Sequence, residues 1–350
     1  MIAAAHWYRP VERVTGGSAR WLIGADPDSA AKESYVPQTA AIVEVVKRWG
    51  SFAVLVIQVG RNVIEHYEEP AGPTFVSIPG PWHRALLELV LGAAIDLGAI
   101  RSLDESVVRY IPEWRDEARA KITLRDLLYN QSRLRDPPYE IAADSPGMQL
   151  FIGTDFESLL LAQQPRAAPG TCFRGAALDA KWLGSILDPT TGQSHAKQIS
   201  TDLWQRIGAQ DACVRLDRPR GTTRTFCCIS ANARDWARVG QLTFTNKRIG
   251  ERQVVRAAWV QQLLTPSQLN AAVGGYWFLQ AIPSISRAVV TTLTTRAATH
   301  CTSRRTGAGR SAWATMRSRS TGRLTRSSTP SMICTSRRRC RHGDFSAPST

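Results

Sequence analysis

Residues 52–67 read FAVLVIQVGRNVIEHY, and this stretch indicates the fold class of the 350-residue chain. Residues 52–59 form a run rich in Val, Leu and Ile, residues 60–62 have the composition of a turn, and residues 63–67 form a second short run. Two such runs joined by a turn predict a β-hairpin. The apolar pattern of residues 82–97 then predicts a helix.

Downstream segments combine several helices with one later strand. Thr123 and Asp126 lie three residues apart and form a capping-box-like start for a short helix. Further helices are predicted at residues 178–187 and 233–242, and a strand at residues 222–229. A strand pair followed by helices and a later strand indicates an α+β (mixed α/β) fold.

Charge is concentrated at one end of the chain. The whole sequence carries a formal net charge of +15, but residues 291–350 hold 12 Arg, no Lys and one acid. This segment therefore carries +11 and leaves +4 for residues 1–290. The best apolar stretch, residues 85–100, contains Glu88 and Asp96 and is too short to span a bilayer. No membrane association is expected, and the body shows no basic stripe for nucleic acid.

Residues 291–350 differ in composition from everything before them. Ser, Thr and Arg supply 35 of the 60 residues, and apolar periodicity ends near Leu293. Such a segment buries too little apolar surface to offset the entropy of ordering it. Three interpretations stay open: wrong-frame translation of a GC-rich gene, a functional arm that binds phosphate backbones, and an inert tail. The predicted organisation is an N-terminal extension at 1–50, a body at 51–290 and this disordered or out-of-frame tail.

Six blocks of the body follow one another in an order typical of one enzyme superfamily. They are FAVLVIQVGRNVIEHY (52–67), LVLGAAIDLGAIRSLDESVVRYIPEW (89–114), ITLRDLLYNQSRL (122–134), PGTCFRGAALDAKWLGSILDPTTGQS (169–194), ISANARDWARVGQL (229–242) and VGGYWFL (273–279). Together they resemble the serine β-lactamase and penicillin-binding-protein-like superfamily. The branch they resemble is that of class C β-lactamase-related hydrolases, which includes 6-aminohexanoate-dimer hydrolase.

The resemblance implies a fold, a reaction and a set of motifs. The implied fold is an antiparallel sheet flanked by helices, with a helical subdomain; its C-terminal strands are expected to be missing here, because the tail stands in their place. The implied reaction is hydrolysis of a small-molecule amide or ester through an acyl-enzyme. The family uses Ser-x-x-Lys at the start of its first long helix, a Tyr-x-Asn or Tyr-x-Ser motif, and a Lys-Thr-Gly or His-x-Gly strand motif.

None of the motif positions holds the residue that the family requires. Counting back from Gly92 places the nucleophile at Pro81 and the Lys at Arg84, while the second motif places the Tyr at Gly175 and the Asn or Ser at Ala177. Proline has no nucleophilic side chain, and Arg stays protonated, so it cannot act as a base. The third motif is expected within the tail and cannot be placed there.

Three other serines offer a hydroxyl. Ser77 lies close to the nucleophile position and is a weak substitute candidate, because no Lys or Tyr base stands beside it. Ser29 with Lys32 and Ser194 with Lys197 both satisfy Ser-x-x-Lys. A four-residue pattern with two free positions recurs by chance, and both are expected to lie on polar surface segments.

The segment at residues 76–84 also admits an out-of-frame interpretation. Codons for Pro-Gly-Pro-Trp-His at residues 79–83 can be written so that the frame one base earlier reads Ser-Trp-Ser-Met-Ala. That reading places a Ser at position 81 but does not recover the Lys. Whether this segment and the tail are frameshift products stays open.

The sequence therefore predicts a β-lactamase-related serine hydrolase by resemblance, in a copy that is catalytically inactive. The alternative is a pseudoenzyme or binding module that contacts acidic partners through its Arg-rich tail, with nucleic acid bound only non-specifically by that tail. No cofactor and no metal are expected, since the seven cysteines show no metal-ligand spacing. The start MIAAAHWYRP lacks a secretory pattern, so a cytoplasmic location is expected.

Overall fold

Two main antiparallel sheets, a separate two-stranded ribbon and the surrounding helices form most of the described part of the chain. The computed structural model describes residues 10–18, 40, 43–44, 51–58, 61–78, 80–116, 118–134, 136–137, 140, 142–242, 248–249, 252–280, 290–292, 299–306 and 309–317. The mixed α/β architecture predicted from the sequence is confirmed. The boundaries between the extension, the body and the tail remain predictions.

The larger sheet contains the predicted hairpin. Its strands are β2 (Ser51–Gln58), β3 (Arg61–Tyr67), β9 (Val273–Gly274), β10 (Trp277–Gln280), β11 (Val290–Thr292), β12 (Thr299–Thr306) and β13 (Gly309–Arg317), in the order β3-β2-β13-β12-β11-β10-β9. All neighbouring pairs are antiparallel. Val54, Leu55 and Val56 of β2 are buried, so the apolar run at 52–59 is the centre of this sheet.

The expectation that the C-terminal strands are missing is wrong for the described residues. β13 lies between β2 and β12, with Ala314 opposite Leu55 and Ala312 opposite Ile57. The expectation rested on the loss of apolar alternation, but a ladder is held by backbone hydrogen bonds, which any non-proline residue supplies. Thr-rich segments also favour extended backbone. The hairpin therefore has a partner on the β2 side, and its free edge is β3.

A smaller sheet pairs the N-terminal segment with strands of the body. Its strands are β1 (Val11–Val14), β4 (Val76–Ser77), β5 (Ala212–Arg215) and β6 (Ile229–Asn232), in the order β1-β5-β6-β4. β1 belongs to the predicted N-terminal extension and pairs with β5 about 200 residues later. The late strand begins at Ile229 and not at residue 222 as predicted. The short strands β7 (Arg248–Ile249) and β8 (Arg252–Gln253) pair only with each other.

Helices cover these sheets and carry most of the buried apolar surface. They are α1 (His83–Asp96), α2 (Leu124–Leu128), α3 (Pro146–Ile152), α4 (Phe156–Leu161), α5 (Ala177–Thr191), α6 (His195–Gln198), α7 (Ala233–Leu242) and α8 (Ala257–Leu263). A π-helical turn, Ile199–Trp204, continues α6. Within the described ranges, no helix combines the length and apolar character that crossing a membrane requires.

Helix α1 is the central element of the fold. Ten of its fourteen residues are buried, including the charged Glu88, so it is enclosed on nearly all sides. The helix ends at Asp96. Gly98, two residues later, adopts φ +74° and stops the helix near the predicted position. The predicted capping box of α2 is also present, with Thr123 and Asp126 each accepting from the other's backbone N–H.

Candidate active site

The position expected for the nucleophile lies on the turn that enters α1. Gly80, Pro81 and Trp82 form a single 3₁₀ turn, and α1 begins at His83. Gly80 adopts φ +69°, a conformation that glycine adopts without steric cost. The chain therefore enters α1 through a tight turn, and position 81 on that turn holds a proline.

The position expected for the Lys is Arg84, in the first turn of α1. Its Nε donates a hydrogen bond to the Phe226 carbonyl at 3.3 Å, and its guanidinium carbon lies 5.8 Å from the centre of the Tyr276 ring. The side chain is half-buried. Because a guanidinium does not lose its proton, Arg84 is a fixed positive charge at this point and not a base.

The second motif positions lie at the start of α5. Gly175 is exposed, and a Cβ placed there would meet no atom within 4 Å. Ala177 is the first residue of α5, and its N–H donates to Asp136 Oδ2 at 2.6 Å. The Leu178 N–H donates to the other Asp136 oxygen at 2.9 Å. The backbone amides at the start of α5, beside the position predicted for the Asn or Ser, are therefore occupied by the Asp136 carboxylate.

A buried polar cluster connects these two regions, and sequence reasoning missed it. Asp179 of α5 is buried and accepts from the Ser132 hydroxyl at 2.5 Å. Burial raises the pKa of Asp179 well above its usual range, and the positive charge of Arg84 opposes that rise. Tyr276 donates through its hydroxyl to the Leu127 carbonyl at 3.0 Å, and burial raises its pKa in turn. Arg84 lies against the Tyr276 ring, and its positive charge acts to lower the pKa of both Asp179 and Tyr276, so we group the three side chains as one polar cluster.

A signal for this cluster was present in the sequence. Asp179 and Lys181 stand between the apolar residues Leu178 and Trp182, within the stretch predicted as a helix. When apolar residues lie all around a helix, a charged residue among them has no solvent-facing side to occupy. Both are almost fully buried.

Lys181 is the described amine whose surroundings most resemble those of a base. Its Nζ donates to Thr222 Oγ1 at 2.8 Å and to the Thr223 carbonyl at 2.9 Å. Burial lowers its pKa to about 8, and burial raises the pKa of nearby Asp188 to about 7. Both contacts attach α5 to the turn at residues 222–223, and no serine hydroxyl is among them. Lys181 therefore has a structural role in this arrangement.

The substitute serines lie on other elements. Ser77 is buried in β4, where its backbone pairs with Ala231 of β6. Ser194 is the N-cap of α6: its hydroxyl accepts from the Lys197 N–H at 3.3 Å and donates to Glu12 Oε1 at 2.5 Å. An N-cap hydroxyl in this geometry faces the helix backbone, not the Lys side chain. Ser29 and Lys32 lie outside the described residues.

The third motif has no counterpart in the described late strands. Strands β11, β12 and β13 read VTT, THCTSRRT and GRSAWATMR, without a Lys-Thr-Gly or His-x-Gly sequence. Among the side chains that the structure describes, no three His, Cys, Asp or Glu groups converge on a point where they could hold a metal. The structure thus brings Arg84 close to the cluster on α5, with no nucleophile at position 81.

Comparisons with known proteins identify related sequences and folds. A family model described as Beta-lactamase matches residues 89–300. The 6-aminohexanoate-dimer hydrolase of Paenarthrobacter ureafaciens is 25% identical over 231 residues, which are 63% of this chain and 58% of that protein. The chain thus spans less than two thirds of the length of this curated relative.

Solved structures show the same fold. A protein from Bacillus anthracis assigned as a 6-aminohexanoate-dimer hydrolase superposes with a TM-score of 0.67 at 17% identity, over 90% of this chain and 88% of that one. A class C β-lactamase from Rhodobacter sphaeroides gives a TM-score of 0.56 at 16% identity, over 83% and 95% of the two chains.

Proposed function

The chain belongs to the Beta-lactamase family, and from that membership we propose that it is a β-lactamase-related hydrolase by descent whose site no longer supports an acyl-enzyme. In this proposal the ancestral substrate is a small-molecule amide or ester. The present chain keeps the fold and the turn that leads into α1. It lacks the side chains that would attack a carbonyl.

The observation that carries the proposal is the chemistry at positions 81 and 84. A family member needs a hydroxyl at the first position and a neutral amine one helical turn later to remove its proton. Here the first position is Pro81. Arg84 at the second position is permanently charged and already bonded to the Phe226 carbonyl. Neither half of the nucleophile pair is supplied.

The experiment is labelling with a fluorophosphonate and with a β-lactam, followed by intact-protein mass spectrometry. The expected result is an unmodified mass under conditions that label a competent class C enzyme completely. The matched variant Ser77→Ala identifies the hydroxyl most able to substitute for the nucleophile. A stoichiometric adduct on the unmutated protein contradicts the proposal, and its loss in Ser77→Ala would assign the nucleophile to Ser77.

A second candidate function rests on the charge of the tail. The proposal here is that the cleft is not used in catalysis and that the Arg-rich segment contacts acidic partners, including nucleic acid without sequence preference. The seven arginines beyond the last described strand are Arg319, Arg323, Arg326, Arg337, Arg338, Arg339 and Arg341. Their replacement by serine leaves β13 intact. Salt-dependent binding to single-stranded DNA that this variant loses would support the tail function, and equal binding by both proteins would contradict it.

A further inference from the structure

Residues 226–228 hold the first turn of α1 through two backbone carbonyls. The Phe226 carbonyl accepts from Arg84 Nε, and the Cys227 carbonyl accepts from His83 Nδ1. His83 has no exposed surface, so its ring has no access to water, and its backbone acceptors are those of Cys227 and Arg224. A buried donor that loses an acceptor keeps the cost of its lost hydration without compensation. The start of α1 therefore depends on where the Cys227 carbonyl points.

That carbonyl belongs to the peptide unit between two bonded cysteines. Cys227 and Cys228 form a disulfide with a sequence separation of one, and both side chains are buried. Cys228 adopts φ +75°, in the left-handed region that residues with a Cβ rarely enter. Because the peptide unit is planar, rotation about φ of Cys228 turns the Cys227 carbonyl with it. The disulfide and the His83 acceptor are thus two parts of one rigid unit.

A disulfide between adjacent residues has little value as a general stabiliser. Disulfides stabilise mainly by restricting the unfolded chain, and the effect grows with the length of the closed loop. The loop closed here is the shortest that a chain allows. Its physical effect is local: it fixes the conformation of the 227–228 peptide unit.

From this geometry we propose that the Cys227–Cys228 disulfide is a redox-sensitive switch that sets the Cys227 carbonyl, and through His83 the order of the first turn of α1. In the oxidised form the carbonyl faces His83 Nδ1. In the reduced form Cys228 is free to leave the left-handed region, the carbonyl turns away, and His83 keeps only its weaker contact with the Arg224 backbone. The proposal concerns conformation and does not require the protein to be a hydrolase.

The oxidant is a small disulfide such as glutathione disulfide. One cysteine thiolate attacks a glutathione sulfur, releases one glutathione thiol and forms a mixed disulfide. The second thiolate then attacks the protein-bound sulfur, forms the Cys227–Cys228 bond and releases the second glutathione thiol. The two cysteine thiols thereby lose two protons and two electrons, and glutathione disulfide gains them. Reduction by a dithiol reverses both steps.

The test begins with the thiol state of the full chain. After incubation with glutathione disulfide and denaturation in N-ethylmaleimide, the peptide containing both cysteines is expected without maleimide and two mass units lighter than its dithiol form. After incubation with dithiothreitol it is expected to carry two maleimides. Cys213, a free cysteine in β5, is the internal control: it has no adjacent thiol, so glutathione disulfide can leave it only as a thiol or as a mixed disulfide that dithiothreitol removes. Two maleimides on the oxidised peptide would overturn the proposal.

Hydrogen exchange then measures the structural consequence. Reduction is expected to speed exchange in residues 80–88 about fivefold, the factor that accompanies loss of one hydrogen bond of ordinary net strength. Residues 233–242 of α7 serve as a reference segment that does not change. The variant Cys213→Ser should respond as the unmutated protein does. Equal exchange of residues 80–88 in the oxidised and reduced proteins would overturn the proposal.

Two variants at one position separate the disulfide from the conformation that it holds. Cys228→Gly and Cys228→Ala both abolish the disulfide, but only glycine adopts φ +75° without cost. In Cys228→Gly, residues 80–88 should therefore exchange at the rate of the oxidised protein, with or without reductant. In Cys228→Ala, they should exchange at the rate of the reduced protein. If Cys228→Ala does not fold, Cys228→Gly and the two redox states of the unmutated chain still decide the question. Fast exchange of residues 80–88 in Cys228→Gly would overturn the proposed linkage.

Discussion

His83 and His195 share a hydrogen bond, with their Nε2 atoms 3.0 Å apart and neither imidazole exposed. The Cys227 carbonyl can only accept, so the proton of His83 is on Nδ1 and its Nε2 is the acceptor. His195 must then donate through Nε2, and its Nδ1 is an unprotonated nitrogen for which the described residues provide no partner. One set of contacts thus fixes both tautomers, and both rings are neutral.

Acid should destabilise the fold through this pair. Burial lowers the pKa of His83 to about 4 and holds that of His195 well below its usual range. Between pH 6.5 and 4 the histidines bind protons in the unfolded chain but not in the folded chain. The free energy of unfolding therefore falls as the pH falls. The His83 contribution across this window is about 3 kcal/mol. Urea unfolding of the unmutated chain and of His83→Asn, which keeps a donor for the Cys227 carbonyl, should show a steeper pH dependence in the unmutated chain.

A matched control for this experiment is His66→Asn. His66 lies in β3 with its side chain 31% exposed, beside Glu68. Removing it should leave the steep acid dependence in place. Because Asp188 and Asp235 also titrate with raised pKa values, of about 7 and about 6, only differences between variants isolate His83. Parallel curves for the unmutated chain and His83→Asn would contradict the assignment.

Glu88→Gln should stabilise the protein at neutral and alkaline pH. Glu88 is fully buried in α1, accepts from the Tyr276 N–H through Oε1, and has no described partner for Oε2. Burial raises its pKa well above the usual range, so its stabilising contribution is present below about pH 4.5 and is lost as the pH rises through the folded pKa. The Gln carbonyl can accept from Tyr276 without ionising.

The measurement is unfolding by guanidinium chloride at pH 4 and pH 8. Glu88→Gln should match the unmutated chain at pH 4 and exceed it at pH 8 by about 1–3 kcal/mol. Glu157→Gln, on the exposed side of α4, is the matched control and should have no effect at either pH. A constant difference between Glu88→Gln and the unmutated protein would show that Glu88 does not titrate in this range.

Arg133→Gly should stabilise the protein for two separable reasons. Arg133 adopts φ +66°, and its Nε and Nη1 atoms are buried without hydrogen-bond partners among the described residues. Glycine relieves the backbone cost, of about 1 kcal/mol, and also removes the buried cationic atoms. Arg220, with φ +59° and an exposed side chain, provides the matched control. Arg220→Gly should gain only the backbone part, so a gain for Arg133→Gly no larger than this would argue against a cost of burial.

Restoring the first two motifs should not restore hydrolysis. The triple variant Pro81→Ser, Arg84→Lys and Gly175→Tyr supplies a nucleophile, an amine and a phenol, and Gly175 has open space for the new Cβ. The described late strands still lack the third motif, so no preorganised site would stabilise the oxyanion. Ester turnover should equal that of the same triple variant with Ala at position 81. Turnover above this Ala control would contradict the prediction.

Translation of the coding DNA provides an independent test of the tail. If residues 280–350 arose from a wrong frame, one of the other two frames should encode alternating apolar strands and a Lys-Thr-Gly or His-x-Gly motif. A gene repaired to that frame, together with the triple variant, should then hydrolyse esters. If neither frame encodes such strands, the tail is native sequence and the binding-module alternative takes precedence.

The elements with strong local signals were predictable from the sequence. Helix α1 was expected at residues 82–97 and spans His83–Asp96, because its apolar density and Gly98 define it locally. The hairpin was expected at residues 52–67, and β2 and β3 begin and end within two residues of the expected bounds. Local patterns suffice where the residues that form an element also determine where it ends.

Elements that depend on distant partners were not predictable. Strand β1 exists through its pairing with β5, and β13 through its place beside β2, and neither relation leaves a local pattern. The polar cluster was missed for a similar reason: the burial of Asp179 is created by packing between segments far apart in sequence. A hydropathy pattern records what a residue prefers, while its surroundings are set by the whole chain.

The pairing of β13 with β2 has a consequence for synthesis on the ribosome. Ser311 pairs with Gln58, so roughly 250 residues must be added after β2 before its neighbour exists. At synthesis rates of about 5–20 residues per second this delay is between about 10 and 50 s. During that time the nascent chain presents an apolar strand with one unsatisfied edge, which is the kind of surface that pairs with other chains. Production of this protein should therefore depend on chaperones that shield nascent strands until translation is finished.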